Sequence, residues 1–374
     1  MGILIVAAAM FLLLWFLRQK YRNLWYKNIK IDLEFQKDKA NVGEQLNLTE
    51  TVENNKKISL PYIHVKFKLR RGLKFIDNSE GESVSDYIYR DEIFSLLKYQ
   101  KVKTEVPFLC AGRGYYCIDR FELVSSGIFF DEEIGVAGKC HTQLLVYPKM
   151  ADISRLRLAY SAIMGEKQVE KRLIEDPFIF RGIRDYQPFD ALNTVNWKAS
   201  ARTGTLQVNV HESTTSERVM ILLDLKSDDG TVYRELVEES ISIAYTLLIE
   251  FEKSNSEIGL LTNASGDFYM MPGKTYGHYH EMEKCLALID ETKPMTEFAG
   301  LFKRFLEERP KDTSIILISQ SSSPKIISLY QSISFTGGEY MWIMPVKPGS
   351  GMHALQSNMR NIIIWEVAYY GIEI

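Results

Sequence analysis

The sequence predicts an α+β multidomain chain made of an N-terminal transmembrane helix, an antiparallel β-sandwich and a doubly wound α/β domain. Three observations predict it. An uncharged apolar run opens the chain from Gly2 to Leu17. To about Pro148, short stretches with apolar residues at every second position are separated by Gly, Asn and Asp, the pattern of half-buried strands in a sandwich. Beyond about residue 216, continuous apolar runs alternate with helical patterns, as in a parallel sheet covered on both faces. At 374 residues the chain exceeds one ordinary core. The expected parts are an anchor (1–27), a sandwich (28–148), a connector (149–215) and the α/β domain (216–374).

The anchor is read from charge placement. Arg18, Lys20, Arg22, Lys27 and Lys30 follow the apolar run, whereas a cleaved signal peptide carries its positive charge in front. Cations on that side predict a single-pass cell-membrane protein with a cytoplasmic body. The run falls slightly short of the ~20 residues usual for a bilayer, so Trp15, Tyr21 and Trp25 are expected to serve as interfacial anchors.

In the sandwich, residues 29–36 alternate through Ile31, Leu33 and Phe35, a turn is expected over Asp38 to Gly43, and the period of two resumes at 45–52. Residues 62–69 put Ile63, Val65, Phe67 and Leu69 on one face, and further strands are expected at 101–109, 114–123 and 143–147. The connector carries a polar helical patch near 166–173. The α/β domain begins with Val219 to Leu223 running into Asp224. A helix over 233–251, a strand over 257–261 and helices over 281–289 and 298–308 follow. Strands at 313–319, 340–344 and 361–367 complete it.

Composition narrows the function. With 46% apolar, 25% charged and 12% aromatic residues the chain is globular. A net charge of -3 gives no general pull toward nucleic acid, so none is expected as a partner. Four cysteines without a Cys-x-x-Cys pair support neither a disulfide scaffold nor zinc. Cys110 and Cys117 are candidates for facing strand positions, though free thiols are the simpler expectation. No phosphate-binding glycine loop, nucleophile elbow or dinucleotide fingerprint occurs. No catalytic residue is therefore nominated, and the protein is expected not to be an enzyme. His278-Tyr279-His280 lacks a third ligand and reads as a helix start.

The densest polar passage is 181–206, expected to form turn, helix, turn. It holds Arg181, Arg184, Asp185, Tyr186, Asp190, Trp197 and Arg202. One reading is a brace between the two domains, with Arg184 and Arg202 satisfying Asp190 over a buried Trp197. The other is a docking surface for a partner.

This passage resembles the bacterial family catalogued as domain of unknown function 58, found beside MoxR-type AAA+ ATPases. The carrying residues are Arg184, Tyr186, Asp190, Asn196, Trp197, Lys198, Ser200 and Arg202, with Phe189 where the family has glycine and Asn196 where it has aspartate. Arg113-Gly114-Tyr115-Tyr116 and Ser126-Gly127-Ile128-Phe129-Phe130 add weaker likeness. The resemblance implies a von Willebrand factor A-like α/β domain, a MoxR-type ATPase partner and a non-enzymatic scaffold role in protein or envelope assembly. Such domains often bind a divalent cation through Asp-x-Ser-x-Ser and a later aspartate. Here the positions read Asp224, Lys226 and Asp228, with Gln320 in the stretch Ser319-Gln320-Ser321 where the aspartate belongs. An ammonium in place of a hydroxyl ligand opposes a cation, so no cofactor is expected. The rival expectation is a divalent-cation-dependent, adhesion-type ligand binder that uses the carboxylates Asp224, Asp228 and Asp229 of these altered loops.

Overall fold

Alternation of apolar side chains turns into the inner faces of two sheets. The computed structural model describes residues 2–76, 83–84, 86–126, 133–157, 180–186, 195–211, 218–228, 233–264, 266–310, 313–333, 339–350 and 359–367. The chain divides into two units, Met1–Lys149 and Met150–Ile374.

In the first unit, β1 (Ile29–Phe35), β3 (Gln45–Asn54), β8 (Lys101–Cys110) and β5 (Leu73–Phe75) form one sheet in that order. The other sheet runs β2 (Lys39–Asn41), β10 (Glu133–Tyr147), β9 (Gly114–Ser126), β4 (Leu60–Arg70), β7 (Tyr87–Leu96) and β6 (Ser83–Val84). Ile63, Val65, Phe67 and Leu69 share one core with Leu46, Leu48, Val52 and Phe108. Each such burial is worth roughly 1.5–3 kcal/mol.

Two expectations are corrected here, and one strand was not expected at all. The expected turn at 38–43 contains β2, which pairs with β10 in parallel and covers part of its edge. Strand β10 starts ten residues earlier than expected, because a register shift between Lys139 and Thr142 breaks its alternation. Strand β7 went unread because its inward positions include Arg90, buried over the Phe75 ring at 4.2 Å and paired with Glu92. Cys110 pairs in register with Leu73 and Cys117 with Gln143, so the two thiols do not face each other.

Helix α1 (Gly2–Leu24) has 23 residues, about 35 Å of rise. Its two ends differ. Val6, Met10, Phe11, Leu12, Leu13, Trp15 and Phe16 are exposed. At the other end Tyr21 packs against the sandwich core and Trp25 is 0% exposed within it. The Lys56 ammonium donates to the carbonyls of Leu24 (3.3 Å), Lys27 (3.1 Å) and Trp25. Carbonyls at a helix C-terminus lack intrahelical donors and sit at the negative end of its dipole, so a cation suits them. Tyr21 and Trp25, expected as interfacial anchors, thus belong to the sandwich. The transmembrane helix expected from the sequence is not supported: among the described residues no helix is long and apolar enough to cross a membrane.

The second unit begins with a short helical stretch at 153–157, followed among its named elements by β11 (Phe180–Asp185), α2 (Trp197–Thr203) and β12 (Gln207–His211), the two strands antiparallel. Of the turn, helix, turn expected over 181–206, the opening turn is corrected to strand β11, while the helix and the closing turn at 204–206 stand ahead of β12. Next come β13 (Arg218–Asp224), α3 (Arg234–Lys253), β14 (Glu257–Thr262), β15 (Phe268–Gly273), α4 (Tyr276–Leu288), α5 (Phe298–Glu308), β16 (Thr313–Ser319), α6 (Pro324–Ile333), β17 (Tyr340–Val346) and β18 (Ile362–Glu366). The helical patch expected near 166–173 lies outside the described residues.

The sheet order is β15-β14-β13-β16-β17-β18, parallel except for the edge strand β15. Strand β13 is buried on both faces. Met220 and Leu222 share a core with Phe302 and Phe305 of α5 and Ile326 of α6, while α3 packs on β13, β14, β16 and β17. The unit is a mixed α/β fold with a mainly parallel sheet. Strand order reverses between β13 and β16, and in open α/β sheets the carboxyl ends at such a reversal are the usual ligand crevice.

Candidate functional site

At that reversal the apolar runs of β13, β14 and β16 end in polar residues. Asp224 closes β13 and is 1% exposed. Its Oδ1 accepts from Asn263 Nδ2 (2.8 Å) and from the Lys226 amide (3.1 Å), and its Oδ2 accepts from the Ser319 hydroxyl (2.8 Å). Burial pushes the carboxyl up to about 6, against the opposing pull of these donors. Asn263 Oδ1 in turn accepts from the Leu225 amide at 3.1 Å, and Gln320 Nε2 donates to the Leu225 carbonyl at 2.9 Å.

Asp228 reaches the loop before α6. It accepts from the Ser321 hydroxyl, and from the amide (2.8 Å) and hydroxyl (3.1 Å) of Ser322. The loops after β13 and β16 are thus joined by direct hydrogen bonds. Lys226 is exposed. Among the described residues no group of three or more His, Cys, Asp or Glu is placed to hold a metal. Of the positions nominated from the sequence, Asp224, Lys226, Asp228 and Gln320 meet at this junction, and Asp229 lies outside the described residues. Asn263 is the member that sequence reasoning missed, although its place right after the buried run of β14 was a signal.

The second constellation is the signature passage. Asn196 caps α2, its side chain accepting from the Ala199 amide at 2.9 Å. The Ser200 hydroxyl donates to the Asn196 carbonyl (2.8 Å) and accepts from the Gln207 amide (2.8 Å), fastening α2 to β12. Gly204 ends the helix at φ 74°, where its amide donates to the Ser200 carbonyl at 2.9 Å, a left-handed position suited to glycine. The Tyr186 amide donates to the Leu206 carbonyl at 2.8 Å, and Gln207 Nε2 donates to Asp185.

Trp197 overturns an expectation. It is 67% exposed, not a buried plug, and Lys198 and Arg202 of the same helix are exposed as well. Buried Val195 and Val208, joined by an isolated bridge, do the packing instead. Helix α2 has only seven residues and buries none of them. Arg184 stands in β11 opposite Val208, while its side chain and the whole of Asp190 lie outside the described residues. The expected salt-bridged brace therefore loses its indole, and Arg202 faces solvent.

The two histidines go separate ways. His278 Nε2 lies 2.7 Å from the Ile258 carbonyl, and His280 stacks on Tyr276 and lies 3.5 Å from Glu283. All four cysteines are free.

Residues 182–325 match the family model described as "Protein of unknown function DUF58". No curated protein matches. Among solved structures, the chain is similar to a conserved hypothetical protein, BatB, from Bacteroides thetaiotaomicron, at 16% identity over 35% of this chain and 67% of that one, with a TM-score of 0.27. An aerotolerance-related membrane protein from Bacteroides fragilis matches at 16% identity over 34% and 66%, TM-score 0.27. The CARDB domain of the PF1109 protein from Pyrococcus furiosus matches at 12% identity over 32% and 96%, TM-score 0.21.

Proposed function

In a chain that carries the DUF58 family's region at residues 182–325, we propose a non-catalytic interaction protein whose docking surface is the Trp197–Lys198–Arg202 face of α2. The observation that carries this reading is the solvent-facing indole on a helix fastened at both ends. An exposed tryptophan flanked by cations has the composition of a binding hot spot, and its rigid mounting lowers the ordering cost of association. The α/β unit is read as von Willebrand factor A-like, on the strength of its strand order. The protein is held at the cell membrane through α1, with a cytoplasmic body. The exposed side chains from Val6 to Phe16 and the apolar run to Leu17 support that attachment.

The partner suggested by the family resemblance is a MoxR-type AAA+ ATPase acting in protein or envelope assembly. The rival, a divalent-cation-dependent ligand binder, draws on Asp224 and Asp228 at the sheet's reversal. It is disfavoured because both carboxylates already accept from protein donors.

Capture from membranes, with and without ATP, tests the reading. The unaltered chain is expected to co-purify with an AAA+ ring. Trp197→Ala combined with Arg202→Glu is expected to lose the ring while melting at the same temperature. Undiminished capture by that variant rejects the docking surface.

A further inference from the structure

Two loops gather around the root of α1. Asn54 Nδ2 donates to the carbonyls of Ile58 and Leu97, each at 2.8 Å, and the Asn54 amide donates to the Gln100 carbonyl at 2.8 Å. The Tyr99 amide donates to the Lys56 carbonyl at 3.2 Å, and the Asn55 amide to the Asn28 carbonyl at 2.9 Å. With the Lys56 ammonium clasping the end of α1, residues 55–59 and 97–100 form one bonded ledge where that helix leaves the sandwich.

The ledge exposes an unusual set of side chains. Leu97 is 64% and Tyr99 62% exposed, with Ile58 and Tyr26 close to 40%. Lys27, Lys57 and Lys98 are exposed among them. Tyr99 holds φ at 55°, a strained value for a bulky residue, and its ring nonetheless faces solvent. The nearby carboxylate, Glu53, stands in register between Lys30 and Lys101.

We propose that this ledge is a collar that seats the sandwich on an anionic lipid surface, with Leu97, Tyr99, Ile58 and Tyr26 entering the headgroup layer. Lys27, Lys57 and Lys98 meet the lipid charge. Two features select a lipid surface over a protein partner. The exposed apolar stretch of α1 emerges from the same end of the unit, and aliphatic and aromatic tips ringed by lysines match the polarity profile of a bilayer interface. The proposal rests on the membrane attachment read above and adds which face of the sandwich meets the lipid and which lipid charge it prefers.

The test uses the full chain incorporated into phosphatidylcholine vesicles and into vesicles that also contain phosphatidylserine. Flotation reads attachment, and amide hydrogen exchange over 97–100 reads the collar. Exchange is expected to be roughly tenfold slower on the anionic vesicles, given the pull of each lysine near such a surface. Lys57→Glu with Lys98→Glu is expected to abolish the slowing without preventing flotation. Equal exchange on both vesicle types, with the chain still floating, overturns the collar and leaves the attachment standing, as does slowing that appears only when a cell extract supplies a protein. Failure to float on either type removes attachment and collar together.

Discussion

Asp224 illustrates how a single side chain can oppose the fold that holds it. Its carboxyl is raised from 3.8 to about 6 by burial, so between those values the folded chain holds a proton that the unfolded chain has released. Its contribution is fully present below about pH 4 and is lost as pH rises through 6. At neutral pH a buried charge remains, offset in part by three donors. In Asp224→Asn the amide oxygen keeps the Asn263 and Lys226 donors, and the amide nitrogen turns the Ser319 hydroxyl into an acceptor. That variant is expected to gain on the order of 2 kcal/mol at pH 8 and to match the parent near pH 4. Urea melts at both values check this, and lower stability of the variant at both would count against it. Trp197 presents the opposite case, in which truncation is expected to change stability by no more than about 0.5 kcal/mol.

At the scale of elements, α2 stands by its caps, because none of its residues is buried. Asn196→Ala is expected to cost about 1 kcal/mol of unit stability. Ser200→Ala is expected to cost a similar amount by leaving the Gln207 amide without its side-chain acceptor. Denaturant titration followed by far-ultraviolet circular dichroism measures both. The same dependence on local bonds explains what the sequence made legible. Helix α5 and strand β16 follow from the spacing of Phe298, Phe302 and Phe305 and from the unbroken run Ile315 to Ile318, patterns that burial itself produces. Strand β15 alternates only between half-buried and exposed positions at a sheet edge, and α6 follows three serines that resemble a loop. Neither leaves a strong apolar signature. At the strand-end junction, the carboxylates were legible from where the apolar run stops, whereas Asn263 belongs by a partnership across 39 residues. Trp197 was misread because indoles usually pack inside, and a helix of seven residues offers no inner face.

Across the whole molecule, the six-stranded sheet joins its two central strand ends through Asp224, Ser319, Asp228 and Ser322 directly. Excess magnesium, manganese or EDTA is therefore expected to leave the melting temperature within about 1 °C, since saturating a site at a hundred times its Kd adds about 2.7 kcal/mol. A rise of several degrees with either cation restores the cation-binding alternative. Calorimetric scans settle this without knowledge of any partner. The Lys56 clasp has a different consequence. Three carbonyls stitched to one ammonium, above an entombed indole, tie the root of the N-terminal rod to the sandwich. A lean imposed on its apolar half is therefore expected to reach the described strands of the first unit as a torque.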